Sequence, residues 1–180
     1  MAGTYYANLS IFRSAPDLGH RPAVSSGAHP AAGSTTDPTG QLADLTCDSD
    51  GRLDRFIGDG QPKQLLELHE LDGNNPYLIG LFLSGAYQEV MGNLHNLFGT
   101  TNAVHIRLSP GGSYRIDHVV RGDTNADVLE AMEHDPRALL ERLRVAAEAA
   151  INNGQLRIDE SRRLLDHLES SLRQTTYLQD

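Results

Sequence analysis

The chain has 180 residues, enough for one ordinary domain or two small ones. Its net charge of −9 argues against a nucleic-acid groove or an anionic membrane surface as the main partner. Its single cysteine excludes an internal disulfide framework and a cysteine-based zinc site. The longest apolar run, 77–83, is too short for a membrane span and nothing resembles a signal peptide, so we expect a cytoplasmic protein.

The first part of the chain alternates between strand-like and low-complexity character. Residues 4–12 (TYYANLSIF) are aromatic and β-branched, which predicts a strand. Residues 18–40 are Gly, Pro, Ser, Thr and Ala with almost no large apolar side chains, which is typical of a linker. We therefore expect this second segment to be irregular.

From Gln41 onwards short apolar runs follow one another, separated by Gly-, Asn- and Pro-rich turns. The predicted strands are 41–47, 64–70, 76–83, 102–109 and 112–120, with a short helix within 84–99. Short strands at this spacing are typical of a sandwich or barrel.

The hydrophobic period becomes helical after Gly122. Asp135 can cap a helix that has Pro136 at its first position, and Asn-Asn-Gly at 152–154 can end it. Asp159 can start a second helix. The predicted inward faces are Leu139, Leu143, Ala146 and Ala150, then Leu165, Leu168 and Leu172. The chain thus reads as an α+β protein, with a β-rich part over 1–120 and a helical part over 121–180.

The only cysteine, Cys47, lies in the acidic stretch LADLTCDSDGRLD, residues 42–54. A calcium loop of EF-hand type with Gly51 at position 6 would place Ile57 where the bidentate acid belongs, so calcium fits poorly. A nucleophilic cysteine would need a nearby base, and the neighbouring carboxylates disfavour a thiolate. Two interpretations stay open: a small buried residue in a solvated acidic turn, or a substrate pocket that needs a thiol beside a carboxylate.

Three motifs decide what the chain resembles. YYANLSIF (5–12), TCDSDG (46–51) and GAYQEVMGNLHNLFG (85–99), in this order and spacing, closely resemble the C-terminal third of biosynthetic arginine decarboxylase. That family is pyridoxal-phosphate-dependent and has an alanine-racemase-like fold. The resemblance covers 4–17 and 41–180, and it implies a partial β-barrel or sandwich domain followed by a small helical C-terminal domain, without the family's β/α barrel.

The family converts arginine to agmatine and CO₂ in polyamine biosynthesis. The resemblance implies that Cys47 is a catalytic residue that serves protonation, and that Asp48 binds the cationic end of the substrate. Both would lie in the partner subunit's active site, so a homo-oligomer is expected. Tyr87 would bind the cofactor phosphate. Magnesium is also expected from the family, with unknown ligands.

Two alternatives apply to residues in the third motif. Without the resemblance, Tyr87 would be interpreted as a core aromatic beside a turn. His95 is interpreted as a hydrogen-bonded structural histidine rather than a metal ligand or base.

The chain departs from the family in two places. Its only lysine, Lys63, does not occupy the family's Schiff-base position, so we expect this chain alone to be an inactive fragment. Residues 18–40 lack the family's apolar, tryptophan-containing strand. Synonymous codons for this segment, read one nucleotide later, can encode a family-like sequence, which suggests two compensating frameshifts, near Asp17 and Thr39.

The leading hypothesis is therefore a C-terminal fragment of arginine decarboxylase. The alternative is a non-catalytic association module that pairs with a full-length decarboxylase or with itself.

Overall fold

The computed structural model describes residues 3–15, 23–26, 39–58, 60–68, 71, 77–82 and 86–179. The chain divides into two compact units, one ending at Asn96 and the other beginning at Leu97. Strands and helices both occur, so the predicted α+β class is confirmed. Within the described ranges the strands form open sheets and no closed barrel.

The first unit contains, in chain order, β1 (Gly3–Tyr6), α1 (Ile11–Ser14), β2 (Ala23–Ser26), β3 (Thr39–Ala43), β4 (Arg52–Leu53), β5 (Leu66–Glu67), β6 (Ile79–Phe82) and α2 (Ala86–Met91). Strand β3 is the centre of its main sheet: it pairs parallel with β1 and antiparallel with β4 and β5. A core of seven buried side chains packs around it: Leu9, Ile11, Ala15, Leu42, Leu53, Phe56 and Leu68.

The predicted strand over 4–12 is wrong in its second half. β1 ends at Tyr6, and α1 begins at Ile11. The amide of Ile11 donates to the carboxylate of Asp44, 2.8 Å away. A helix has unsatisfied N–H groups in its first turn, and this distant acid satisfies one of them. The local sequence is strand-like, but a long-range contact favours the helix.

The expectation of irregular structure over 18–40 is wrong at two places. Residues 23–26 form β2, which pairs antiparallel with β6 in the register Ala23↔Phe82 to Ser26↔Ile79. Thr39 and Gly40 belong to β3. A ladder needs only backbone N–H and C=O groups, so a segment with few large apolar side chains can still pair. The remaining residues of 18–40 lie outside the described ranges, and the frameshift hypothesis stays a prediction.

The second unit contains β7 (Ala103–Leu108), β8 (Tyr114–Val120), α3 (Asn125–Ala131), α4 (Pro136–Asn152) and α5 (Ile158–Arg173). β7 and β8 form an antiparallel hairpin with a register shift between His105 and Ile106. Gly111 and Gly112 have φ values of 92° and 81° in its turn, a conformation that glycine adopts without strain. The hairpin lies in the same compact unit as the helices. The domain boundary at 120/121 stays a prediction.

The helices follow their local signals closely. Thr124 and Asp127 form a capping box at α3, and the Asp135 side chain accepts from the amide of Arg137 at the start of α4 (2.8 Å). α4 ends at Asn152 and Gly154 follows with φ 70°, as predicted. The buried alanine of α4 is Ala147, whereas the predicted Ala146 is exposed. Among the described residues, no helix has the length and apolar character needed to cross a membrane.

Candidate active-site loop

The loop between β3 and β4, residues 44–51, is built on one buried acid. Asp44 is 5% exposed, and its carboxylate accepts three hydrogen bonds. Oδ2 accepts from the amide of Ile11 (2.8 Å), while Oδ1 accepts from the amide of Thr46 (2.8 Å) and from its hydroxyl (2.7 Å). Three donors around one carboxylate offset the cost of burying its charge. Asp44 therefore fixes the first turn of the loop to α1.

A glycine closes the loop at the other end. The amide of Asp44 donates to the carbonyl of Gly51 (2.8 Å), and the amide of Gly51 donates to the carbonyl of Asp48 (3.0 Å). A Cβ atom at Gly51 would collide with the Asp44 carboxylate and the Thr46 hydroxyl. This close approach requires glycine, and it holds 48–51 in a tight turn above the buried acid.

Cys47 and Asp48 lie side by side at the exposed part of this loop. The interpretation of Cys47 as a small buried residue is therefore wrong. The Asp48 carboxylate accepts from the amide of Asp50 (2.9 Å), and no cation in the described part of the chain pairs with it. The loop thus presents an exposed thiol and an exposed carboxylate with free acceptor capacity.

Asn96 contacts Cys47 from 49 positions along the chain. Its Oδ1 accepts from the amide of Cys47 (3.0 Å), and its Nδ2 donates to Cys47 Sγ (3.4 Å). Asn96 is not predicted from the sequence to belong to the site. The family-like motif at 85–99 contains it, but nothing in the spacing indicates which loop it contacts.

Tyr87 and His95, both from that motif, differ in their surroundings. Tyr87 is 64% exposed, so the interpretation as a core aromatic is wrong. Within the described residues, no hydrogen bond or ring contact joins it to Cys47 or Asp48. The ring of His95 stacks on Phe12 with the ring centroids 4.5 Å apart, while its amide donates to Asn93 Oδ1 (2.9 Å). Its buried Nε2 has no hydrogen-bond partner among the described residues, so the expected side-chain hydrogen bond is not found there.

Lys63 and the acidic residues are the remaining candidates for cofactor or metal ligands. Lys63 Nζ lies 3.3 Å from Glu67 Oε1 and both side chains are exposed, which is an ordinary surface ion pair. In the ranges that the structure covers, no three His, Cys, Asp or Glu side chains converge on a point that could hold a metal ion. The described geometry therefore assigns no ligands to the magnesium that the resemblance implied.

Comparison with known proteins agrees with the sequence motifs. A family profile described as "Arginine decarboxylase C-terminal helical extension" matches residues 126–178. Among curated proteins, the chain is 85% identical to biosynthetic arginine decarboxylase of Parasynechococcus marenigrum and 67% identical to that of Prochlorococcus marinus. These matches cover 100% and 99% of this chain, which spans 28% of each relative's length.

A solved structure supports the same assignment. The crystal structure of biosynthetic arginine decarboxylase from Campylobacter jejuni matches with a TM-score of 0.70 at 28% identity. The match covers 98% of this chain and 29% of that one. In sequence and in fold, the chain is therefore similar to the C-terminal region of biosynthetic arginine decarboxylases.

Proposed function

We propose that this chain serves the decarboxylation of arginine to agmatine and CO₂, with Cys47 and Asp48 completing an active site whose remainder lies on another subunit. The observation that carries the proposal is an exposed thiol beside an exposed carboxylate, on a loop whose base is held by buried Asp44. Among the described residues, that carboxylate has no cationic partner. An exposed loop cannot enclose a small substrate by itself. A second surface must supply the other walls of the site.

Asp48 is the residue proposed to bind the substrate. The guanidinium of arginine presents N–H donors in a planar fork that matches the two oxygens of a carboxylate. Asp48 accepts one hydrogen bond from the Asp50 amide and retains acceptor capacity for such a pair. Enclosure by a partner subunit would desolvate the pair and strengthen it.

Cys47 is proposed to hold a proton at Sγ for the carbon that loses CO₂. A thiol is a weak donor that can face an apolar reaction site at low desolvation cost. Tyr87 is 64% exposed, and its hydroxyl group is proposed to donate to the phosphate of pyridoxal phosphate. That cofactor, when bound to the complete protein, supplies an electron sink for the reaction. Tyr87 is the residue of this chain that would hold its phosphate. The only lysine, Lys63, forms a surface ion pair with Glu67 and is not assigned to its covalent attachment.

A chimaera with the P. marenigrum enzyme tests this proposal. In this chimaera, the chain replaces the C-terminal part of the P. marenigrum enzyme that it matches. Two inactive variants of the chimaera are then co-expressed. One carries Asp48→Asn, and the other lacks the lysine of the β/α barrel. If active sites are shared between subunits, random mixing in a two-fold dimer restores about a quarter of the parent activity. Asp54→Asn is the matched control, because Asp54 is an acid of the same stretch that pairs with Arg52 (3.2 Å). No activity in the mixture, or full activity of Asp48→Asn alone, would refute the shared site.

The exposed hairpin favours the second candidate, a non-catalytic association module. Apolar side chains of β7 and β8 are exposed in this chain, including Leu108 at 80% and Tyr114 at 67%. Such surfaces commonly mark protein interfaces. The test is co-purification of the tagged chain with the full-length enzyme, with and without the substitution Tyr114→Ser in the chain. An association module captures the enzyme, and Tyr114→Ser weakens that capture. A chain without this role captures no partner.

A further inference from the structure

The contact between Asn96 and Cys47 is a two-point contact. The backbone amide of Cys47 can only donate, so the amide oxygen of Asn96 must face it. This orientation aims the Nδ2 donor of Asn96 at Cys47 Sγ, 3.4 Å away. One side chain therefore fixes both the backbone and the sulfur of the same residue.

The backbone of Asn96 is suited to this role. Its φ and ψ are 55° and 22°, in the left-handed region that asparagine tolerates better than most residues. The preceding turn is fixed from two directions. The amide of Asn93 donates to the carbonyl of Phe12 (3.1 Å), and the ring of His95 stacks on the ring of Phe12. Asn96 is thus presented to the loop from a fixed turn.

We propose that Asn96 is a positioning residue for Cys47, holding its backbone through Oδ1 and orienting its sulfur through Nδ2. The catalytic purpose of this positioning rests on the proposed function. The two contacts themselves do not, because they form within this chain. An N–H donor aimed at sulfur fixes the direction in which the thiol points. A fixed direction suits a thiol that must deliver a proton at one defined atom.

The test uses the 180-residue chain, in which Cys47 is the only thiol. Asn96→Asp keeps an oxygen for the Cys47 amide and replaces the donor to sulfur with a carboxylate oxygen. A purely structural role would survive this change. Asn93→Asp is the matched control, because it places the same charge in the same turn and keeps the acceptor that the His95 amide uses (2.9 Å).

The measurement is the rate of alkylation by iodoacetamide at mildly alkaline pH, relative to the rate in concentrated urea. The thiolate is the reactive form, so we expect Asn96→Asp to react about two- to fivefold more slowly than the parent chain. Asn93→Asp should react at nearly the parent rate. Equal rates for Asn96→Asp and the parent chain, or equal slowing in both variants, would overturn the proposal.

A second variant covers the case in which Asn96→Asp disrupts the loop. Asn96→Gly keeps the left-handed backbone and removes both contacts. We expect faster amide hydrogen exchange at Cys47, with unchanged exchange at Arg52 in β4. Unchanged exchange at Cys47 would show that Asn96 does not hold it. Neither measurement needs decarboxylation, so a failure here is distinct from a failure of the subunit-mixing experiment.

Discussion

Replacing the buried Asp44 by Asn should destabilise the first unit strongly. Its carboxylate faces three donors, two of them backbone amides that cannot turn away. The side-chain amide of Asn carries its N–H donors on one side. In either orientation these donors therefore face another donor, the N–H of Ile11 or the N–H of Thr46. One buried amide is left unpaired, at about 1–3 kcal/mol, and the remaining hydrogen bonds lose their charge assistance. Together these terms give a loss of about 2–4 kcal/mol in the free energy of unfolding.

The assay is hydrogen exchange followed by mass spectrometry across a urea series. Spectroscopy of the whole chain would be dominated by the long helices α4 and α5, and two units need not unfold as one. Peptides covering α1 and β3–β4 should open at lower urea in Asp44→Asn, while peptides of α4 serve as the internal reference.

The matched control for Asp44→Asn is again Asp54→Asn. Asp54 belongs to an exposed ion pair with Arg52, and such pairs contribute at most about 1 kcal/mol. A loss in Asp44→Asn no larger than that in the control would refute the argument that Asp44 supports the loop.

Four further predictions concern a helix cap, the site loop, the isolated chain and the gene. Thr124→Ala should destabilise α3 by about 1 kcal/mol in thermal unfolding. The hydrogen bonds from Thr124 hold the pKa of Asp127 below its ordinary value of 3.8. The stability that these hydrogen bonds contribute is complete above that value and is lost as pH falls through the lower folded pKa. In an acid titration, Thr124→Ala should therefore lose less stability than the parent chain. In the complete chimaera, Asp48→Asn should weaken catalysis with arginine by about 2–5 kcal/mol, the cost of removing one member of a desolvated charge pair, while Cys47→Ala should mainly lower turnover. The 180-residue chain should form no agmatine with added pyridoxal phosphate, and agmatine above a no-protein control would contradict this. Resequencing of the gene should reveal insertions or deletions near codons 17 and 39, or confirm them as genuine lesions. Codons for residues 18–37 that encode no family-like sequence when read one nucleotide later would end that hypothesis.

The helical part was predictable because its signals are local. Asp135 and Pro136 define the start of α4, and Gly154 defines its end. Each signal lies within a few residues of the helix end that it determines. The buried face was predicted less well: Ala147 is buried rather than Ala146, because two alanines in sequence give no apolar contrast from which to choose.

The site was predictable in its residue types and not in its contacts. The motif TCDSDG indicated Cys47 and Asp48 by resemblance, and whether they act in catalysis stays a prediction. Asn96 and Ile11 complete the loop from 49 and 33 positions away. Periodicity and local propensity carry no information about pairs so distant in sequence.

The acidic residues of 42–54 are all aspartates, but their surroundings give them different chemistry. Asp44 is buried against three donors, and Asp54 pairs with Arg52. Asp48 is exposed and accepts one backbone hydrogen bond. Neutralising the buried acid should therefore reduce stability, and neutralising the exposed one should leave stability nearly unchanged, since surface substitutions away from such features usually change it by no more than about 0.5 kcal/mol. A carboxylate that contributes little to the fold, and that no cation pairs with in the part of the chain the structure describes, is free to bind a cationic ligand. That separation of stability from binding is why Asp48, rather than its neighbours, is the residue proposed to receive arginine.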